Sequence, residues 1–388
     1  MSRKLKDNLL NGLIWLSAAF SVGILIMIVG FIFANGWSKI SWDFLTNDYE
    51  SHTQYVNVTS EQSYTAPSSL SSEAFFSENL GIAIEPNEEG YEVVWIDENS
   101  PVKEAKNNAD ESFPVKVGYQ LEQINGEGGN LKVKPDTNGE DIIEALNASD
   151  TLMMKVMSPG GGIFPMIVST LLLILVALVF SAPIGILAAI YLVEYAKPGK
   201  LVNLIRFATE VLSGIPSVVY GLFGMLIFSN TLNLGMSILS GGLTLMILLL
   251  PTMMRTTEEA LKAVPMSYRE ASYGLGAKKI QTLSKVILPS AIPGILVGVI
   301  LSIGRTIGES AALLFTIGTF AKLPVNPTSG ALSLFETGTS LTVRAYVEVK
   351  ESGNVEMAAA IGIVILVIVF TLNMISRLIS KKFSKANY

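Results

Sequence analysis

The chain has 388 residues, half of them hydrophobic and only 15% charged, with a mean hydropathy of +0.48, a membrane-protein balance and not that of a soluble enzyme. It has no cysteine and one histidine, His52, which excludes disulfides, thiolate metal sites and any two-histidine zinc site, and leaves a Ser-His-Asp triad without a nucleophile motif. The net charge of −6 hides a division: residues 41–160 carry 22 acidic and 6 basic side chains, while the remainder is basic by 21 to 11.

Residues 1–45 read as a basic tail and a first membrane span. Arg3, Lys4 and Lys6 precede an apolar run over 9–33, long enough to cross a bilayer. The run is too long for a signal-peptide core, and no small-residue cleavage site follows it, so the span is expected to be retained. Trp37 and Trp42 then fall at interface depth.

Residues 46–159 read as a soluble insert. Its first part, 46–78, is rich in Ser, Thr, Asn and Tyr and predicts a linker, in which the lone His52 is solvated. From 79 to 158 short elements follow: strands at 80–84 and 91–96, a helix from Ser100-Pro101 to 106, and a strand over 117–124 closed by Asn125-Gly126. A helix at 141–147 and a strand at 151–157 complete it. This order resembles a small α+β PDZ domain of the bacterial type. Leu80, Gly81 and Ile82 stand at the carboxylate-binding loop, Ser100-Pro101 at the usual Ser-Pro, and Ile124-Asn125-Gly126 at the hairpin. Tyr119 departs from the pattern, where an Asp usually follows the glycine, and 107–113 looks inserted. The resemblance implies that a peptide or protein C-terminus adds as a strand beside the loop. A folded spacer with an empty groove is the other reading.

Residues 160–388 carry five further apolar runs, at 164–193, 207–228, 237–254, 291–320 and 357–379, giving six spans in all. Placing the amino terminus, the 194–206 loop, the central loop and the tail on one side gathers 16 of the 27 Lys and Arg residues there. Basic loops stay cytoplasmic, so both termini are expected inside and the acidic insert outside.

The central loop, 256–290, contains the chain's most specific pattern, EASYGLGAKKIQTLSKVILP over 270–289. Glu270, Ala271 and Ser272 open it, Gly276 allows a turn, and Leu288-Pro289 close it where an apolar run begins. The spacing resembles the EAA loop of ABC-transporter permeases, with Ser272 and Val286 as departures. The resemblance implies an all-α polytopic membrane protein with the type I ABC importer permease fold, whose elbow docks a cytoplasmic ATPase. No Gly-x-x-x-x-Gly-Lys-Ser/Thr loop is present, so the chain itself is not expected to bind ATP or to be an enzyme. No catalytic residue, cofactor, metal or nucleic-acid partner is expected.

Further stretches resemble the PstA family, permeases of the phosphate-specific ABC importer. They are GGIFP at 161–165, APIG at 182–185, AAIYLVEY at 188–195, GIPSVVYGLFG at 214–224, TTEEALKAVP at 256–265 and GRTIGESA at 304–311. Together with the first span they cover the chain outside the insert. Arg305 and Glu309, four apart, are read as sharing a helix face in the fifth span. Charges at membrane depth face a bundle interior or a water path, and a guanidinium holds phosphate oxygens in a fork. The resemblance associates this Arg and Glu with transport; a structural ion pair is the alternative. Pro216 marks the third span as irregular, and Ser217 beside it is placed on the path or in close helix packing. The implied partners are a second permease (PstC), an ATPase dimer (PstB), a phosphate-binding protein (PstS) and the lipid bilayer of a bacterial inner membrane. A permease for sulfate, molybdate or phosphonate, and a non-transporting membrane-tethered PDZ receptor, are the alternatives.

Overall fold

A computed structural model describes residues 3–51, 53–60, 62–67, 70–87, 90–108, 110, 112–126, 129–158 and 160–385. His52 and the side chains of Arg3, Lys4, Lys6, Lys382 and Lys385 lie outside the described residues. The chain divides into two compact units: Met1–Thr46 with Ile163–Tyr388, and Asn47–Gly162. The first unit begins with α1, Arg3–Gly36, whose 34 residues contain no proline. At 1.5 Å per residue it is about 50 Å long, well beyond the hydrocarbon thickness of a bilayer. One 3-10 turn at Trp37–Lys39 and the short α2, Trp42–Thr46, follow.

The second unit is an antiparallel sheet covered by one helix. Its strands are β1 (Thr53–Thr59), β2 (Phe75–Ser77), β3 (Ile82–Asn87), β4 (Gly90–Ile96), β5 (Lys106–Asn107), β6 (Gln120–Gly126), β7 (Gly129–Lys132) and β8 (Thr151–Met157). The order is β2-β3-β4-β6-β8-β1-β5, with β7 paired to β6. The helix, α3, spans Gly139–Asn147, and the Asn138 side chain accepts from the Glu140 N–H at its start. Alternate residues Val56, Val58, Leu152, Met154 and Val156 point inward and meet Ile142 and Leu146 of α3.

Two readings of this region need correction. Residues 46–78 are not simply a linker: β1 pairs with β8 over its whole length, from Thr53↔Met157 to Thr59↔Thr151, and β2 pairs with β3. Only Val56 and Val58 mark β1 as buried, which is why its polar composition reads as loop. The helix expected at 101–106 is one 3-10 turn, Pro101–Glu104, after which the chain extends into β5.

The first unit resumes with α4 (Phe164–Ile190), ended by a π-helical turn at Tyr191–Tyr195. Then come α5 (Lys200–Gly214), α6 (Ser217–Gly224) with a π-helical extension at Met225–Thr231, and α7 (Ile238–Ala263). Next are α8 (Met266–Gly274), α9 (Lys279–Thr282), a π-helical turn at Leu283–Ile287 and α10 (Leu288–Gly308). The unit ends with α11 (Ala311–Thr316), α12 (Leu341–Lys350) and α13 (Val355–Lys385). Among the described residues, five helices are long and apolar enough to cross a membrane, and a sixth crossing is counted only if a bent pair is one span.

That pair corrects the expected third span at 207–228. Residues 207–214 belong to α5, which meets α6 at a 102° bend. Pro216 causes it: the proline disfavours helical backbone at Ile215, which is extended. The fifth run also breaks. α10 stops at Gly308, Glu309 is extended, and only the short α11 continues toward 320. The centre of the unit is apolar packing of α4 on α7, with Leu173, Ala177, Leu245, Leu248 and Leu249 buried together with Leu313 of α11 and Val343 of α12. The outer helix α1 packs on α13. A Cβ on Gly36 would stand 2.5 Å from the backbone of Ala359 and Ala360, and Lys39 pairs with Glu356 at 3.4 Å.

Candidate functional site

Three groups of residues carry chemistry. The first surrounds the end of α10. Ser302, Ile303, Thr306 and Ile307 face inward, whereas Val297, Leu301 and Arg305 lie on the exposed face of the helix. Arg305 makes no hydrogen bond or ion pair among the described residues. Glu309 does not share the helix with Arg305, as its spacing suggested, because the helix ends between them. Its carboxylate instead accepts from the Ala312 N–H at 3.1 Å and caps α11, while its carbonyl accepts from Thr342 Oγ1 at 3.1 Å. Glu309 is therefore the joint of α10, α11 and α12, and Arg305 is left as an unneutralised cation.

Pro216 is the exposed N-cap of α6, and the half-buried Ser217 is its first residue. One turn on, Gly221 lies against α11, where a Cβ would stand 2.8 Å from the Ala312 Cα. Through Ala312 of α11, α6 thus lies beside Glu309, four residues beyond Arg305. No hydrogen bond joins Ser217 to Arg305 or Glu309 among the described residues. Sequence reasoning missed Tyr220, whose hydroxyl donates to Leu212 O across the bend at 2.7 Å.

The second group is the elbow at 270–289. α8 buries none of its residues; Glu270 and Ala271 are exposed, and Leu275 at its tip is 90% exposed. Gly276 has φ +81°, a left-handed conformation that glycine adopts without strain. Ser272 Oγ and Thr282 Oγ1 lie 2.8 Å apart and clip the two arms together. Leu288 and Pro289 open α10, so the second arm runs without interruption into the helix that bears Arg305. Arg269, one of the basic residues of the central loop, roots the elbow. It donates to Val264 O at 2.8 Å and Leu261 O at 3.0 Å, and pairs with Glu194 at 2.9 Å. Nearby, Glu258 accepts from Arg206 at 2.7 Å and Lys262 at 2.6 Å, tying α5 to α7.

The third group is the loop at Leu80, Gly81 and Ile82. Leu80 and Ile82 are fully buried, and Gly81 has φ +62° with the Tyr64 ring against it. The loop N–H groups are engaged: Leu80 N donates to Ser77 Oγ at 3.3 Å and Gly81 N to Ser77 O at 2.9 Å. Beside the loop, the outer edge of β3 is paired with β2, through Phe75↔Ile84, Phe76↔Ala83 and Ser77↔Ile82.

Residues 181–385 match the profile of the binding-protein-dependent transport system inner membrane component, and the chain belongs to this family. It is a permease subunit of an ABC importer, with the helical permease fold; it is not an enzyme, and ATP hydrolysis resides on a separate subunit. Individual relatives are as follows. The chain is 37% identical over 235 residues to the "Probable ABC transporter permease protein YqgI" of Bacillus subtilis (strain 168), covering 57% of this chain and 79% of the relative. It is 33% identical over 222 residues to the phosphate transport system permease protein PstA 1 of Mycobacterium tuberculosis (strain ATCC 25618 / H37Rv), covering 57% and 70%. With the phosphate transport system permease protein PstA of Yersinia pestis the identity is 38% over 180 residues, covering 45% and 61%. Among solved structures, the inward-facing MetNI methionine ABC transporter is similar with a TM-score of 0.45 at 18% identity, over 57% of this chain and 94% of that one.

Proposed function

We propose that this chain is the PstA-type permease of an ATP-driven phosphate importer. Its relatives named for phosphate transport are 33–40% identical over roughly half the chain, which supports this reading. The observation that carries it in the structure is Arg305, a cation without an acidic partner on the exposed face of α10. A guanidinium in that state offers a fork to a phosphate oxygen pair. Pro216, Ser217 and Glu309 frame the same region, Glu309 by holding the break that ends α10. On this reading the exposed face of α10 lines the path together with a second permease of the PstC type. The elbow of Glu270, Ala271, Ser272, Gly276, Leu288 and Pro289 docks a PstB-type ATPase, and a PstS-type protein delivers phosphate. On this reading both termini are cytoplasmic and the insert, 46–159, lies outside a bacterial inner membrane, which the distribution of basic loops supports. The PDZ-like reading of that unit rests on its element order.

ATP-dependent uptake of radiolabelled phosphate into vesicles bearing the four-component complex tests the function. Excess unlabelled phosphate is expected to abolish uptake and excess sulfate to leave it intact. Inhibition by sulfate instead would replace the substrate. Because the chain has no cysteine, orientation is tested by single substitutions: Asp136→Cys should react with an impermeant maleimide from outside and Lys197→Cys only from inside.

A further inference from the structure

Both arms of the elbow are tied to two consecutive residues that lie far from it in the sequence. Arg269 of α8 pairs with Glu194 at 2.9 Å, and Lys279 of α9 sits over the Tyr195 ring at 4.8 Å from its centroid. Glu194 and Tyr195 end the π-helical turn that terminates α4. The Arg269–Glu194 pair is enclosed: the two side chains are 11% and 7% exposed. The same guanidinium holds two carbonyls at the C-terminus of α7, where a cation is favoured. α8 buries no residue of its own and follows α7 after only Val264 and Pro265, so this side chain braces that short link and fastens α8 to the end of α4; α4 and α7 are the two helices whose packing forms the centre of the unit.

We propose that Arg269 and Glu194 form a coupling latch: a positioning pair that transmits displacement of the elbow to α4 and α7. The inference rests on the elbow's reading as the ATPase dock. A load applied to α8 and α9 passes along the chain at both ends, through Val264 and Pro265 into α7 and through Leu288 and Pro289 into α10. The latch adds α4, which has no covalent link to the elbow, and so moves α4 with α7 and α10 and keeps the core from shearing when the elbow is pushed. The two-part attachment suits this task. An enclosed ion pair holds its geometry because separating it strands a charge away from water, whereas the cation–π contact beside it tolerates sliding. A salt bridge serving only to anchor a loop has no need to reach the carbonyls of a third element.

The test uses the whole importer reconstituted in liposomes and measures phosphate imported per ATP hydrolysed, together with the amount of ATPase that co-purifies. Glu194→Gln keeps the shape and removes the charge; Arg269→Met removes the guanidinium. Both complexes are expected to assemble and hydrolyse ATP, with import per ATP lowered about tenfold, within the range of coupling changes seen along such contacts. A ratio equal to that of the parent overturns the latch. So does a loss of assembly and uptake in parallel at an unchanged ratio, which would make the pair a plain anchor. Gly276→Pro in the same assay separates this from failure of the underlying reading. If Gly276→Pro couples normally, the elbow is not the coupling element and the latch falls with it. If Gly276→Pro uncouples while Glu194→Gln does not, only the latch fails.

Discussion

Arg305 and Glu309 illustrate how one charge pattern can divide its labour. Their spacing invites an ion pair, but the carboxylate is committed to the α11 N-terminus and the guanidinium is left open. Their substitutions should therefore differ in kind. Arg305→Gln is expected to lower phosphate uptake by about tenfold or more, since a charged hydrogen bond contributes about 1.5–3 kcal/mol, with the complex still assembling. Arg305→Lys should restore uptake only in part, because a point charge lacks the fork. Glu309→Ala removes a cap, worth about 1 kcal/mol, and should lower the melting temperature of the purified chain. Glu309→Gln, which still accepts a hydrogen bond, should melt close to the parent. Equal melting of the Ala and Gln variants would remove the cap from this account. The break between the two residues was not legible in the sequence. Residues 304–311, GRTIGESA, hold two glycines and two charges but no proline; Gly308 is a stop signal only in hindsight, because an isolated glycine is also tolerated inside membrane helices.

At the scale of elements, legibility followed the length over which a pattern repeats. The long apolar helices and the elbow, with its fixed spacing from Glu270 to Pro289, can be read directly. The bend at Pro216 was foreseen as an irregularity, though not as a 102° change of direction. The strand β1 was missed because two valines among polar residues carry too weak an alternation. The latch was missed because Glu194 and Arg269 are 75 positions apart, and a single sequence gives no sign of such a contact. The β2–β3 pairing bears directly on the peptide reading of the insert. Ser77 offers its hydroxyl and carbonyl to the loop N–H groups, the acceptors a terminal carboxylate would supply, and β2 already lies along β3. Peptides ending in a free carboxylate are therefore expected not to bind the intact chain at micromolar concentration, as checked by fluorescence anisotropy. Saturable binding there would mean that β2 is displaceable.

For the whole molecule, the position of the insert makes a separable part plausible. Within the helical unit, Ile163 N donates to Phe44 O at 2.8 Å, so the residues on either side of the gap are already joined. Within the insert, Gly161 N and Gly162 N donate to Tyr49 O and Asp48 O, so its own ends are also held together. Replacing residues 47–162 with a short Gly-Ser link is accordingly expected to leave a permease that assembles with its ATPase. Phosphate uptake by the shortened chain at the parental rate would confine the insert to an accessory task. Normal assembly with lost uptake would place it on the delivery route.

The packing of α1 on α13 has a consequence for the order of synthesis. α1, Arg3–Gly36, has as its main neighbour α13, Val355–Lys385, which is made long after it. Until α13 is in place, Gly36 faces no Ala359 and Lys39 no Glu356, and α1 rests in lipid with its packing face bare. Synthesis of α13 is thus itself a checkpoint, and a protein truncated before α13 would present membrane proteases with an unpaired α1.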